Sequence, residues 1–292
     1  MFQRILAPLD DTTRIDVSLR IAAALAEERD AQIVLVHTEP SAASTEHLTK
    51  DRAAMQRYVE RLREQGVHAE YTLETGTREN GIATATRNWN ADLILLVPEQ
   101  REELELLWYS RSATHQLSEL PAPLLIWPDA LPYAEFLAER EAVVMAPLDG
   151  TVAAERSLPY AVKLAGRYHH PLLLAHAIPA GKDEVGPSYD SSAGLLASRL
   201  EAETYLERLQ AELRRTTSVP ILTTVLVGEP GAELARAAKT CHAGVMVLCS
   251  HSHPNKHRYF MGCIATQILR QTNVPILVVP PRVEALATAE TR

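Results

Sequence analysis

The sequence predicts an α/β protein built from two tandem, doubly wound domains, each a five-stranded, mostly parallel sheet with helices on both faces. Three observations carry that expectation. The chain repeats itself, short apolar runs alternate with amphipathic stretches in each copy, and the length of 292 residues exceeds the roughly 100–200 residues of an ordinary single domain.

The repeat organises everything else. Ala7-Pro8-Leu9-Asp10 returns as Ala146-Pro147-Leu148-Asp149, and the same offset of 139 positions carries Thr12 onto Thr151, His37 onto His176 and Pro40 onto Pro179. Farther along, an offset of 152 pairs Gly76 with Gly228, Ala91 with Ala243, Leu96 with Leu248, Thr114 with Thr266, Leu117 with Leu269 and Pro123 with Pro275. Separated matches in one register mark a duplication. The change of offset means that the second copy has gained 13 residues, which the crowding of Gly, Pro, Ser and Asp places between Gly181 and Gly194. Pro128 to Arg140 lies between the copies and is the expected boundary, giving domains 1–138 and 139–292.

Within each copy the elements follow in order. Arg4 to Leu9 and Ala142 to Leu148 are apolar runs of strand length, each followed by apolar residues at helical spacing: Leu19, Ala22, Leu25 and Ala26, then Leu158, Ala161, Leu164 and Ala165. Pro159 would cost that second helix a hydrogen bond past its first turn, so the helix is expected to start late or bend. Ile33 to Val36 and Leu172 to Leu174 read as second strands, with amphipathic helices around Ala53 to Arg63 and Leu195 to Leu213. Tyr71 to Leu73 and Leu222 to Val227 give third strands, Asp92 to Val97 and Gly244 to Leu248 fourth strands, and Leu124 to Trp127 and Ile276 to Val279 close each copy. Strands separated by helices imply parallel neighbours, because a parallel pair needs a long crossover. The closing strands are apolar sheet edges that need a cover, and packing of the two repeats as a pseudo-dimer would supply one.

Composition narrows the function classes. A formal net charge of -8 opposes nonspecific attraction to nucleic acid or anionic membranes. No apolar run reaches the roughly 18–20 residues of a membrane span, and the N-terminus lacks signal-peptide character, so a cytoplasmic protein is expected. Three cysteines, Cys241, Cys249 and Cys263, do not form a disulfide framework and read as reduced thiols.

A strand ending Ala-Pro-Leu-Asp before Gly/Asp-Thr, a second strand ending in His, and a Val-Gly-Glu-Pro turn before the third helix together resemble the universal stress protein family, twice over nearly the whole chain. The resemblance implies the adenine nucleotide alpha hydrolase-like fold. It further implies that the first-strand Asp and the residue after the second-strand His contact an adenine base, and that a G-x2-G-x9-G-[ST] loop after strand four wraps the ribose and phosphates. In copy two those positions are Asp149, with Pro147 and Leu148 before it, Ala177, and a loop running from Cys249 through Ser252 to Gly262, Cys263 and Ile264. The loop spacing is kept, but Cys249 and Ser252 replace two glycines, whose missing side chains let backbone N–H groups approach phosphate. Gly262 precedes a helix start suited to an anion, and Lys256, His257 and Arg258 add positive charge. In copy one the loop begins Val97-Pro98-Glu99-Gln100, ends at Ser110-Arg111 and carries Glu102, Glu103 and Glu105, so like-charge repulsion opposes phosphate there.

The implied ligand is therefore ATP or another adenine nucleotide in copy two, with Mg²⁺ accompanying it. Asp10 and Asp149 also read simply as turn-forming carboxylates, and His37 and His176 as histidines satisfied by backbone. No catalytic residue is assigned, and turnover beyond slow ATP hydrolysis is not expected. Cys241, His242, Cys249, His251, His253, His257 and Cys263 offer zinc-type ligands but no C-x2-C spacing, and a metal-free cluster is expected. The alternative function is a nonenzymatic scaffold acting through homodimerisation or a protein partner.

Overall fold

The computed structural model describes residues 2–9, 14–27, 31–39, 45–98, 120–128, 142–179, 192–249 and 263–280, and every structural statement below concerns these. The chain forms two compact units, and each is a five-stranded parallel sheet with crossover helices.

In the first unit the elements run β1 (Arg4–Pro8), α1 (Ile15–Glu27), β2 (Gln32–Glu39), α2 (Thr45–Glu64), β3 (Ala69–Thr75), α3 (Arg78–Asn88), β4 (Leu93–Leu96) and β5 (Leu124–Ile126). Their spatial order is β3-β2-β1-β4-β5, with β1 parallel to both β2 and β4. The chain winds outwards from β1 in one direction and then, after β3, in the other; that reversal is the doubly wound arrangement. Central strands are apolar on both faces because helices cover both: Ile5, Leu6, Ala7, Ile33, Val34, Leu35 and Leu93 to Leu95 are all fully buried. β3, at the end of the order, instead alternates in Glu70, Thr72 and Glu74, which suits a strand with an unpaired edge.

The second unit repeats this plan with β6 (Val143–Leu148), α4 (Val152–Glu155), α5 (Leu158–Tyr168), β7 (Leu172–Ile178), α6 (Ser192–Leu213), β8 (Ile221–Val227), α7 (Pro230–Thr240), β9 (Ala243–Cys249), α8 (Cys263–Gln271) and β10 (Ile276–Val279). Its order is β8-β7-β6-β9-β10. The awkward proline is accommodated by splitting the helix. α4 lasts one turn, Ser157 turns its buried hydroxyl onto the Ala154 carbonyl, and α5 restarts with Pro159 in its first turn, where the missing N–H has no intrahelical partner to lose.

The duplication reaches backbone detail. Gly76 and Gly228 both adopt positive φ, +124° and +150°, and each donates its N–H to the end of the second strand, Gly76 to Glu39 and Gly228 to Ile178. A side chain would be strained at either turn. Asn90 after α3 and His242 after α7 both sit in the left-handed region. Helix α2 is longer than the periodic stretch from Ala53 to Arg63 suggests, because its first turns carry polar residues that the apolar pattern does not register.

Candidate functional site

In an open parallel sheet a ligand site forms beyond the carboxyl ends of the strands, where the winding reverses. In the second unit the reversal lies between β6 and β9. β6 pairs with β7 in a register that sets Leu148 beside His176, and with β9 in one that sets Met145 beside Met246. Extending both registers brings Asp149, Ala177 and Cys249 to one edge of the sheet. Pro147 and Leu148 are the last residues of β6, and Leu148 and Cys249 are buried. α8 begins at Cys263, with the partly exposed Ile264 in its first turn. Ser252 and Gly262 lie outside the described residues, as do Asp10 and copy one's glutamate-bearing loop.

Asp149 is exposed and already organises its own turn. Its Oδ1 accepts the Thr151 N–H at 3.0 Å and the Thr151 hydroxyl at 2.6 Å. Thr151 in turn caps α4, its Oγ1 accepting the Ala154 N–H at 3.2 Å. The turn-forming reading of this carboxylate is thus observed, and the same bonds hold the group at a fixed place at the sheet edge. Gly150 lies at φ +83°, where a Cβ would stand 3.8 Å from the His176 ring.

His176 departs from the sequence reading. Its Nδ1 is buried with no hydrogen-bond partner among the described residues, so the backbone does not satisfy it. Burial lowers its pKa, the Asp149 charge opposing in part, and the ring is neutral near pH 7. It meets the edge of Tyr205 on α6, with ring centroids 5.8 Å apart. Burial and the neighbouring Glu155 carboxylate push the Tyr205 phenol far up, so it keeps its proton. Arg208 lies 5.5 Å above the Tyr205 ring and bonds Glu155 at 3.0 Å. Sequence reasoning assigned no role to Glu155, Tyr205 or Arg208. The available signal was helical spacing, since Ala202, Leu206 and Leu209 form the buried face of α6 and Tyr205 borders it.

Of the cysteine and histidine cluster, Cys241 and Cys249 are free thiols, and burial raises the Cys241 pKa. The members from His251 to His257 lie outside the described residues.

The universal stress protein family model matches residues 1–128 and again 142–280. The chain belongs to the universal stress protein family. No curated protein matches it. Among solved structures, a universal stress protein from Archaeoglobus fulgidus is similar at 16% identity and a TM-score of 0.65, over 94% of this chain and 95% of that one. A functionally unknown protein from Pseudomonas aeruginosa is similar at 18% identity and TM-score 0.64, over 95% and 92%. The cytoplasmic domain of a prokaryotic cation chloride cotransporter aligns at 17% identity and TM-score 0.54, over 98% and 99%. At such identities the likeness concerns the fold, and a universal stress protein fold serves more than one kind of molecule. No helix among the described residues is long and apolar enough to cross a membrane.

Proposed function

We propose that this universal stress protein is a cytoplasmic stress-response regulator that binds one adenine nucleotide in its second unit, domain 139–292, with ATP the leading ligand and Mg²⁺ accompanying it. One observation carries the reading: the β6–β7 and β6–β9 registers bring Asp149, Ala177 and Cys249 to one sheet edge beside the winding reversal. Asp149 and Ala177 would face the base. The segment from Cys249 through Ser252 to Gly262, Cys263 and Ile264 would embrace the phosphates, drawing on backbone N–H groups at the start of α8. The neutral, half-buried His176 and protonated Tyr205 border this edge and favour a flat, uncharged group such as a base over a phosphate.

Ligand release tests it. Protein purified without added nucleotide, then denatured, should yield adenine nucleotide by absorbance and mass spectrometry at up to one per chain. A chain that releases none, and binds none at millimolar concentration, is instead a scaffold. A specific feature favours that second reading: Leu196 and Leu200, one turn apart on α6, are 67% and 62% exposed, an apolar pair suited to a protein partner or a second copy of this chain.

A further inference from the structure

The first unit holds a cluster that the nucleotide reading does not use. His37, near the end of β2, directs Nδ1 at the Leu9 carbonyl at 2.7 Å. A carbonyl can only accept, so Nδ1 carries the proton and Nε2 is left as the ring's lone-pair nitrogen. Nε2 points at two carboxylates: Glu39 Oε1 at 3.4 Å and Asp51 Oδ2 at 3.8 Å. All three ligand atoms lie within 4.8 Å of one another.

We propose that His37, Glu39 and Asp51 bind one divalent first-row cation of the zinc type. The distances are informative. A charge-assisted hydrogen bond between imidazolium and carboxylate is about 2.7–2.9 Å long. Donors sharing a cation at about 2.1 Å stand about 3.4 Å apart in tetrahedral geometry. The His37–Glu39 separation of 3.4 Å matches the second case and the His37–Asp51 separation of 3.8 Å lies closer to it than to the first, with side-chain rotation closing the site. A backbone carbonyl holding the far nitrogen is the usual way a metal-bound imidazole is oriented. One nitrogen with two carboxylate oxygens suits zinc, iron or manganese better than calcium, and three protein ligands leave a fourth position for water.

Charge supports the assignment. Glu39 is only 1% exposed, and carboxylates at that depth are found either paired or coordinating a metal. Asp51 is 22% exposed and lines an open surface depression of about 620 Å³ along α2, so solvent reaches the rim. In the second unit the offset of 139 puts Ile178 where Glu39 stands, so this ligand set is not repeated at the equivalent positions. The inference is independent of nucleotide binding.

The test uses the full chain, stripped of metal and nucleotide by chelator and gel filtration, and titrated calorimetrically with Zn²⁺ alone. One ion per chain is expected, with affinity falling at least about tenfold in His37→Gln and in Glu39→Gln and unchanged in His176→Gln. Circular dichroism checks each fold. Should the buried variants unfold, Asp51→Ala, at a solvent-reached helix position, carries the decision and should weaken binding likewise. No stoichiometric binding by the native chain would overturn the proposal. So would affinity that persists in His37→Gln and Asp51→Ala, or that is lost with Cys249→Ala alone, which would place the ion in the second unit.

Discussion

His37 and His176 occupy the same position of the two copies, yet they are held in opposite ways. His37 is tied by its Nδ1 to the Leu9 carbonyl and faces two carboxylates. His176 has its Nδ1 buried without a partner among the described residues and packs against Tyr205. The backbone around them is the same, down to the positive-φ turns at Gly76 and Gly228. Duplication has therefore kept the frame and released the side chains that line it. The first unit's frame presents a polar, anionic group of ligand atoms, and the second's presents a neutral aromatic wall beside Asp149.

Replacing each histidine with leucine should separate the two environments most strongly. His37→Leu removes the donor from the Leu9 carbonyl and leaves Glu39 facing an apolar side chain, at a cost of about 1–3 kcal/mol. His176→Leu removes a nitrogen that bonds nothing among the described residues, and should be neutral or stabilising, within about 1 kcal/mol. Urea unfolding of metal-stripped protein reads both. Equal losses in the two variants would mean that the histidines are equivalent and the comparison fails.

A smaller effect appears in acid. The His176 pKa is lowered in the folded chain, so the unfolded chain binds its proton more readily. Stability is then fully present above the ordinary histidine pKa of about 6.5 and declines as pH falls from there towards the folded value. His170, lowered by burial and by the neighbouring His169, adds to the same slope. His176→Gln should make the stability loss between pH 7 and pH 5 shallower than in the native chain, and His170→Gln should do the same. A slope unchanged in both variants would show that neither ring is held neutral.

The fold was legible because its signals are local and repeated. Runs such as Leu93 to Leu96 announce strands covered on both faces, and the offsets of 139 and 152 transfer each assignment from one copy to the other. Asp149 was legible both as a turn former and as a strand-end residue, because its partner Thr151 is two positions away. What was not legible depends on contacts across the chain. Nothing near His37 in sequence points to Asp51, 14 residues on, which reaches it only because α2 crosses back over β2. Tyr205 meets His176 for the same reason, through α6 and β7. The shared histidine suggested one explanation for both copies, and only their neighbours show two.

The central claim is that the second unit alone keeps a nucleotide site, and calorimetric titration of the stripped chain with ATP and with ADP tests it most directly. One site per chain is expected, weakened about tenfold or more by Asp149→Ala, since losing a charged hydrogen-bonded contact costs about 1.5–3 kcal/mol, and little changed by Asp10→Ala. Two equivalent sites, or binding lost with Asp10→Ala and kept with Asp149→Ala, would contradict the account.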